Sequence, residues 1–338
     1  MGSIVDEQCR VNSPILAAHP FINASVLINL IARSWAGNYK LMKLGYPCIN
    51  LSLPCRSSRT FRLASWSEER FIETVTNNLA CLLRILEFNA GHGLLLFRIT
   101  SDLIPFASHS ICAVSWQRYF KKEFSAIGSF VKQNGMRLSM HPDQFTLINS
   151  LDEEIYTRSV RELMYHADVL DLLSASRSHK IQIHVGGVYG DKEKSLARFI
   201  SRYRSLPLKV RRRLVIENDD RLYSVADCLK IHDRVGVPVV LDTLHHRIIN
   251  EGEPIRTAFM KICSTWKRAD GMPMVDYSTQ DKKKRPGCHA ETIHPGEFRS
   301  FLKAMRGLDF DMMFEIKDKE RSALKAAAIL QTLRETAG

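Results

Sequence analysis

Eight short apolar runs recur along this chain, and each has the length and composition of a buried β-strand. The runs are MKLGYPCIN, LLLFRI, RLSMHPDQ, KIQIHVGG, RLVIEND, VPVVLDTLHH, PMVDYS and DMMFEIK. Segments with helical spacing of apolar residues separate them, and this alternation favours a parallel sheet with right-handed crossovers. Eight such units are the number that closes a barrel. We therefore predict the α/β fold class and, within it, a single (β/α)8 TIM barrel.

The barrel is predicted to occupy residues 42–338, after an N-terminal extension, residues 1–41, that we expect to be poorly ordered. The first helix is predicted to begin at a capping box, Ser65-Trp66-Ser67-Glu68, and to stop near Gly91 and Gly93. Further helices are predicted near 115–134, 152–174, 191–204, 224–235, 254–266, 295–305 and 320–336. An open doubly wound sheet is the alternative, but it requires a phosphate fingerprint or a switch-point cleft. The sequence contains neither a GxGxxG motif nor a P-loop.

Seven of the eight runs end in, or just before, a polar residue of a type that binds metal ions. Active residues of (β/α)8 barrels lie at the C-terminal ends of the strands, so these side chains are expected to meet at one rim. Such a meeting of acids and imidazoles predicts a metal-dependent active site. The residues at the seven ends are Asn50, His141, His184, Glu217, Asp242, Asp276 and Glu315.

The most specific local signal is Asp242 followed by His245, a pair that suits zinc or manganese. His289 lies in the loop after the seventh run. The candidate ligands then number eight, more than one ion requires, and two or three ions that share carboxylates would account for them. Single residues also have plainer interpretations: a lone histidine is more often structural, and Glu217 could pair with a barrel arginine. The eight are His141, His184, Glu217, Asp242, His245, Asp276, His289 and Glu315.

The chain carries 48 Lys and Arg against 36 Asp and Glu, a formal net charge of +12. This excess favours a polyanionic partner, most often nucleic acid. The basic run Lys282–Arg285 precedes His289 in a predicted active-face loop, where it could contact phosphate or simply be solvated. Phe145 and Tyr46 could each be core aromatics or contact bases.

The eight cysteines are scattered without a CxxC pair, so the sequence indicates neither a zinc ribbon nor a disulfide framework. We expect reduced thiols and an intracellular protein. No stretch approaches about twenty apolar residues, so no membrane span is predicted.

Several segments together resemble the UV damage endonuclease family, from about Lys43 to about Lys319. They are LGYPCINLSL, RTFRLA, LIPFASH, RLSMHPDQF, IEND, VVLDTLHH and the run from Ser278 to Ala290. The resemblance implies a TIM barrel related to endonuclease IV. It also implies an enzyme that nicks double-stranded DNA immediately 5′ of ultraviolet photoproducts and leaves a 3′-hydroxyl. The implied cofactors are two or three divalent ions, typically Mn²⁺, with Zn²⁺ or Mg²⁺ as alternatives.

The resemblance also implies roles for individual residues. It assigns metal binding to His141, His184, Glu217, Asp242, His245, His289 and Glu315. It implies that Gln144 and Phe145 probe the duplex opposite the lesion and that Tyr46 and Asn50 lie near the lesion pocket. We expect Glu217, Asp242, Glu315 and Lys317 to serve catalysis, with Lys317 holding phosphate. Further DNA contacts are expected from His109, Lys283, Lys284 and Arg285.

The chain departs from the family pattern at three places. Met274-Val275-Asp276 stands where other members have Lys-x-His, Phe145 replaces a tyrosine, and Asp143 replaces a glycine. Asp276 can still ligate metal, but Met274 cannot supply the charge of a lysine. The alternatives left open are an abasic-site endonuclease, a sugar isomerase on the same barrel and a damage-binding protein that no longer cuts. From the resemblance we expect a monomer that works where the DNA is, in the cytoplasm, nucleoid, nucleus or an organelle.

Overall fold

Eight parallel strands close into a barrel in the computed structural model, which describes residues 42–335. Each strand pairs with the next, and the first pairs with the last through Leu44 opposite Met312. The predicted (β/α)8 TIM barrel is therefore confirmed, while residues 1–41 lie outside the described residues. The strands β1–β8 are Leu44–Pro47, Leu96–Ile99, Arg137–Met140, Lys180–His184, Leu214–Glu217, Val239–Asp242, Met274–Tyr277 and Asp311–Phe314.

Helices cover the outside of the barrel between consecutive strands. The segment predicted as one helix near 115–134 is divided at Phe120. The short helices Leu208–Arg211 and Thr243–Ile248 have no counterpart among the predicted segments. The helices α1–α11 are Glu68–Gly91, Trp116–Tyr119, Lys121–Gln133, Glu153–Leu172, Lys192–Ser205, Leu208–Arg211, Val225–Val235, Thr243–Ile248, Ile255–Cys263, Pro295–Ala304 and Glu320–Glu335.

The first helix illustrates how the sequence forms these elements. Phe71, Val75, Leu79 and Leu82 recur at helical spacing, and all four are buried against the barrel. The predicted capping box is wrong in its position, because Ser67 caps the helix and its hydroxyl accepts a hydrogen bond from the amide of Arg70 at 3.2 Å. The preceding residues Leu63–Ser65 instead form a 3-10 turn.

The N-terminal end of the barrel is closed by buried ion pairs. Arg137 contacts Asp311 at 2.7 Å, and Lys180 contacts Asp270 at 2.6 Å. Both cations also lie over the ring of Trp266, at 5.5 and 5.7 Å from its centroid. Each charge there has an opposite partner, so none of these charges is left buried and unpaired.

One pair of cysteines forms a disulfide, which corrects the expectation of reduced thiols throughout. Cys55 lies in the loop after β1 and Cys81 lies in α1, 26 residues later. The loop folds back across the helix and brings the two Cα atoms to 5.8 Å, within the range of disulfides. Sequence spacing alone could not reveal a pairing that depends on this return of the chain.

The part of the chain that the structure describes contains no helix with both the length and the apolar character needed to cross a membrane.

His179 gives a prediction about stability and pH. Its Nδ1 accepts a hydrogen bond from the amide of Leu138 at 3.0 Å, and burial, with Arg137 and Arg213 nearby, lowers its pKa from 6.5 to about 3. The folded state then binds fewer protons than the unfolded state between pH 3 and 6.5, so stability falls as pH falls below 6.5. Acidification to pH 5 should cost about 2 kcal/mol through this group.

His179→Asn keeps a hydrogen-bond acceptor and removes the titrating ring. The free energy of unfolding, measured by urea titration in chelator at pH 7.5 and pH 5, should therefore depend less on pH in the variant. Equal losses of stability in the two proteins would contradict the prediction.

Candidate active site

The strand ends bring the predicted polar residues to the C-terminal rim of the barrel. His184, Glu217 and Asp242 are the last residues of β4, β5 and β6, and His141 and Glu315 directly follow β3 and β8. Parallel register places His184 opposite Glu217 and Asp242 opposite Asp276. The barrel geometry therefore joins residues that are far apart in sequence.

Glu217 lies at the centre of this rim. Its Oε1 is 3.1 Å from His141 Nε2 and 2.8 Å from His184 Nε2. Burial alone would raise the pKa of Glu217, but the two imidazoles hold it well below its usual value. Burial opposes charge on His184 as well, yet Glu217 raises the pKa of His184 to about 9. The group therefore favours an ionised carboxylate between its two histidines.

Asp242 and His245 form the next part of the site. Asp242 caps α8, with its Oδ1 accepting from the amide of His245 at 2.8 Å, and its other oxygen is buried without a hydrogen-bond partner among residues 42–335. The His245 Nδ1 faces the carbonyl of Asn218 at 3.0 Å. Burial, together with the charges of Glu315 and Glu217, raises the pKa of Asp242 to about 6 against the opposing effect of His245. An added cation would relieve this penalty.

Four histidine rings form an arc along the rim. The ring centroids of His141 and His184 are 5.3 Å apart, those of His184 and His245 6.0 Å, and those of His245 and His289 6.4 Å. His289 also lies beside Glu315, with Nδ1 and Oε2 4.0 Å apart. Imidazoles therefore flank the carboxylates from β3 to the loop after β7.

Arg98 and Gln182 contact the acids of the candidate site, and the sequence analysis missed both. Arg98 lies in β2, and its guanidinium is buried between Asp276, 2.9 Å away, and Glu315. The Gln182 amide, from β4, contacts Arg98, Glu217 and Asp276. The available signals were an arginine and a glutamine within otherwise apolar runs, LLLFRI and KIQIH. Within residues 42–335 no arginine forms a salt bridge with Glu217, because Arg98 contacts Asp276 and Glu315 instead.

The donor set fits divalent metal ions. Ligand atoms of His141, His184 and Glu217 lie within 4.8 Å of one another, as do those of Glu217, Asp242 and Asp276. The Nδ1 atom of His184 and one oxygen of Asp242 are buried without partners in the described range. Imidazole and carboxylate together suit manganese or zinc. These clusters could therefore hold metal ions.

The chain from residue 42 to residue 337 matches the family described as UV-endonuclease UvdE. The chain belongs to the UV-endonuclease family. It is 37% identical over 297 residues to a UV DNA damage endonuclease of Clostridium perfringens, covering 87% of this chain and 72% of that protein. It is 36% identical to a putative UV-damage endonuclease of Acanthamoeba polyphaga mimivirus, and the match covers 85% of this chain and 91% of that protein. In the crystal structure of SacUVDE, the chain is 46% identical in sequence to this one and superposes with a TM-score of 0.83. The match covers 86% of this chain and 99% of that chain.

These relatives establish this chain as an endonuclease. Sugar epimerases share only its architecture: an L-ribulose 3-epimerase structure, for example, is 14% identical with a TM-score of 0.53, covering 88% of this chain and 96% of that one. Similarity at 14% identity shows only a shared barrel fold. It therefore does not support the alternative of a sugar isomerase.

The predicted DNA probe lies on an exposed loop after β3. Gln144 is exposed, and the Phe145 side chain is 72% exposed. Phe145 and His109 line a cavity of about 560 Å³ between this loop, the loop after β2 and the start of α4. The arrangement contradicts the interpretation of Phe145 as a core aromatic.

The basic residues after β7 have different environments. Lys282–Arg285 are exposed, but Lys284 contacts both Asp281 and Glu291 at 3.3 Å. Lys317 contacts the same Glu291 at 2.6 Å. An acid 26 residues earlier in the chain therefore pairs with Lys317, while its predicted contact with phosphate stays a prediction. The exposed side chains of Lys283 and Arg285 make no ion pair with residues in the described range.

Tyr46 and Asn50, which are predicted to lie near the lesion pocket, are buried and hydrogen-bonded to each other, and Asn50 lines a cavity beside the loop after β1. The Tyr46 hydroxyl donates to Asn89 at 2.6 Å and accepts from the Asn50 amide at 2.8 Å. The Asn50 oxygen then accepts from the amides of Ser52 and Leu53. The two residues organise the loop after β1 from within.

The hydrogen bonds of the Tyr46 hydroxyl give a prediction with a matched control. Tyr46→Phe leaves buried Asn50 and Asn89 groups without the hydroxyl and should lower the free energy of unfolding by about 1–3 kcal/mol. Tyr277 is equally buried, but its hydroxyl has no partner within residues 42–335. Tyr277→Phe should therefore cost almost nothing in the same urea titration. Equal losses in the free energy of unfolding for the two substitutions would contradict the proposed role of the Tyr46 hydroxyl.

Proposed function

We propose that this endonuclease incises double-stranded DNA on the 5′ side of ultraviolet photoproducts and leaves a 3′-hydroxyl, using divalent ions, with Mn²⁺ as the physiological metal. The observation that carries this proposal is the meeting of Glu217, Asp242 and the four-histidine arc at one rim of the barrel. The substrate is supported by the names of the relatives, which are UV DNA damage endonucleases at 31–37% identity. The enzyme acts as a monomer in the compartment that holds the DNA.

The candidate ligands are placed to hold the ions at different points around the scissile phosphate. Glu217 presents one oxygen toward two imidazoles, so it is placed to be shared between ions. Asp242 offers a buried oxygen without a partner, and Glu315 adjoins His289. Divalent ions held there would supply an activated water near neutral pH and neutralise charge on the attacking and leaving oxygens. A separate protein acid for the leaving 3′-oxygen is then unnecessary.

The rim loops engage the duplex around this centre. Phe145 offers an aromatic face on which a base can stack, and Gln144 beside it offers hydrogen bonds to base edges. Lys283 and Arg285 carry exposed positive charge suited to backbone phosphates, whereas Lys284 shares its charge with two acids. A photoproduct already weakens stacking, which lowers the cost of extruding the damaged nucleotides.

The first test combines chelation with one substitution. Pure protein should nick an ultraviolet-irradiated duplex with Mn²⁺ and should lose this activity in EDTA. Glu217→Gln should reduce nicking by more than about 100-fold, because even groups that only support metal ligands are worth 10–100-fold, while DNA binding persists. Glu193→Gln, an exposed acid on α5, is the matched control and should cut normally.

The substrate in the same assay separates the remaining alternatives. A duplex with a single abasic site and a duplex with a single photoproduct should be compared at equal enzyme. Faster incision of the abasic duplex would support the endonuclease IV type of activity instead. Activity that survives complete chelation would refute the metal-dependent mechanism.

The second test concerns Phe145. Phe145→Ala should weaken binding to irradiated DNA by about 1–3 kcal/mol, the usual value of one stacked base, whereas Phe145→Tyr should bind normally. Leu208→Ala removes a comparably exposed apolar side chain on α6 and serves as the control. Fluorescence anisotropy with a labelled photoproduct duplex gives the affinities. Normal binding by Phe145→Ala would exclude the stacking role.

A further inference from the structure

Arg98 occupies the space between two carboxylates where a metal ion would otherwise be needed. Its Nη2 lies 3.0 Å from Asp276 Oδ1 and 2.9 Å from Asp276 Oδ2, and its Nη1 donates to Glu315. The Arg98 side chain is 4% exposed and that of Asp276 is 0% exposed. The guanidinium is therefore a fixed, buried cation within the site.

Gln182 completes the enclosure of Asp276. Its Oε1 accepts from Arg98 Nη2 at 3.0 Å, so its Nε2 is the atom that donates to Asp276 and to Glu217. An amide nitrogen and a guanidinium are donors only and cannot ligate a cation. Both oxygens of Asp276 thus face donors, and an ion placed on either would lie against the positive charge of Arg98.

The other candidate ligands differ from Asp276, because they either face side chains that can themselves bind an ion or keep an atom without a partner. Glu217 Oε1 faces two histidines, and both His184 Nδ1 and one Asp242 oxygen are buried without partners among the described residues. The proximity of Asp276 to Glu217 and Asp242 would by itself allow an ion there. The hydrogen-bond donors around Asp276 argue against it, and the neighbouring Met274 offers no ligand oxygen or nitrogen.

We propose that this enzyme holds two divalent ions rather than three, and that the Arg98–Gln182–Asp276 cluster takes the place of a third. The inference rests on the metal dependence proposed above and adds the number of ions. Asp276 is then a positioning residue that fixes Arg98, which in turn holds Glu315. His141, His184, Glu217, Asp242, His245, His289 and Glu315 remain for the two ions.

Metal content of the full chain tests this directly. Protein loaded with Mn²⁺ and passed over chelating resin should contain two manganese atoms per chain by mass spectrometry. Asp276→Asn should still contain two, whereas Asp242→Asn, the matched control, should lose at least one. Circular dichroism checks that each variant is folded. Anomalous diffraction from manganese in crystals of the unsubstituted protein gives a second measurement, with two peaks and neither within ligand distance of Asp276.

A count of three in the unsubstituted protein, a peak on Asp276 or the loss of an ion in Asp276→Asn would overturn the inference and leave the proposed function standing. A count of zero alongside nicking that survives EDTA would overturn the proposed function as well. The parallel nicking assay therefore distinguishes the two failures.

Discussion

Burial of negative charge is the constraint on which the rest of this site depends. Glu217, Asp242 and Asp276 are almost wholly inaccessible to water, and Glu315 adjoins them. Each ionised carboxylate loses hydration on burial, which costs several kcal/mol unless cations or hydrogen bonds replace the water. The position of almost every other polar side chain at this rim follows from that requirement.

The protein answers this constraint in two ways. Arg98 supplies permanent charge to Asp276 and Glu315, and its buried guanidinium stays protonated because those acids and Glu217 raise its pKa despite burial. The histidines supply charge that depends on pH, and Glu217 raises the pKa of His184. A divalent ion can displace a proton from an imidazole but cannot displace the charge of an arginine. At the histidine side of the rim, a metal ion can therefore replace protons as the source of positive charge.

The two ends of the barrel differ in how completely their buried polar atoms are paired. At the N-terminal end, Arg137 and Lys180 each have an acid partner and share an aromatic face. At the C-terminal end, atoms of Asp242 and His184 lack partners within the described residues. Buried polar atoms without partners reduce stability. Their presence at the C-terminal end is consistent with a bound ligand that would supply the missing partners.

The sequence predicts those features that depend on local periodicity and parallel register. Strand positions follow from apolar runs, and the meeting of His184 with Glu217 follows because parallel neighbours align their C-terminal ends. Features set by a distant partner were not predictable. Lys317 pairs with Glu291, and Cys55 pairs with Cys81. The role of Arg98 was also hidden, since nothing in LLLFRI indicates which acids lie opposite it.

Rim loops, rather than the barrel, decide between a sugar enzyme and a DNA enzyme on this architecture. Epimerases at 14% identity share the barrel, so the strands cannot carry the distinction. Phe145 is 72% exposed beside a cavity of about 560 Å³, although exposure of a large apolar ring to water is unfavourable. A small sugar bound deep among the carboxylates would leave that ring uncovered. A duplex lying across the rim would cover the Phe145 ring and place its phosphates beside Lys283 and Arg285. One partner of that size would account for both the exposed ring and the exposed positive charge.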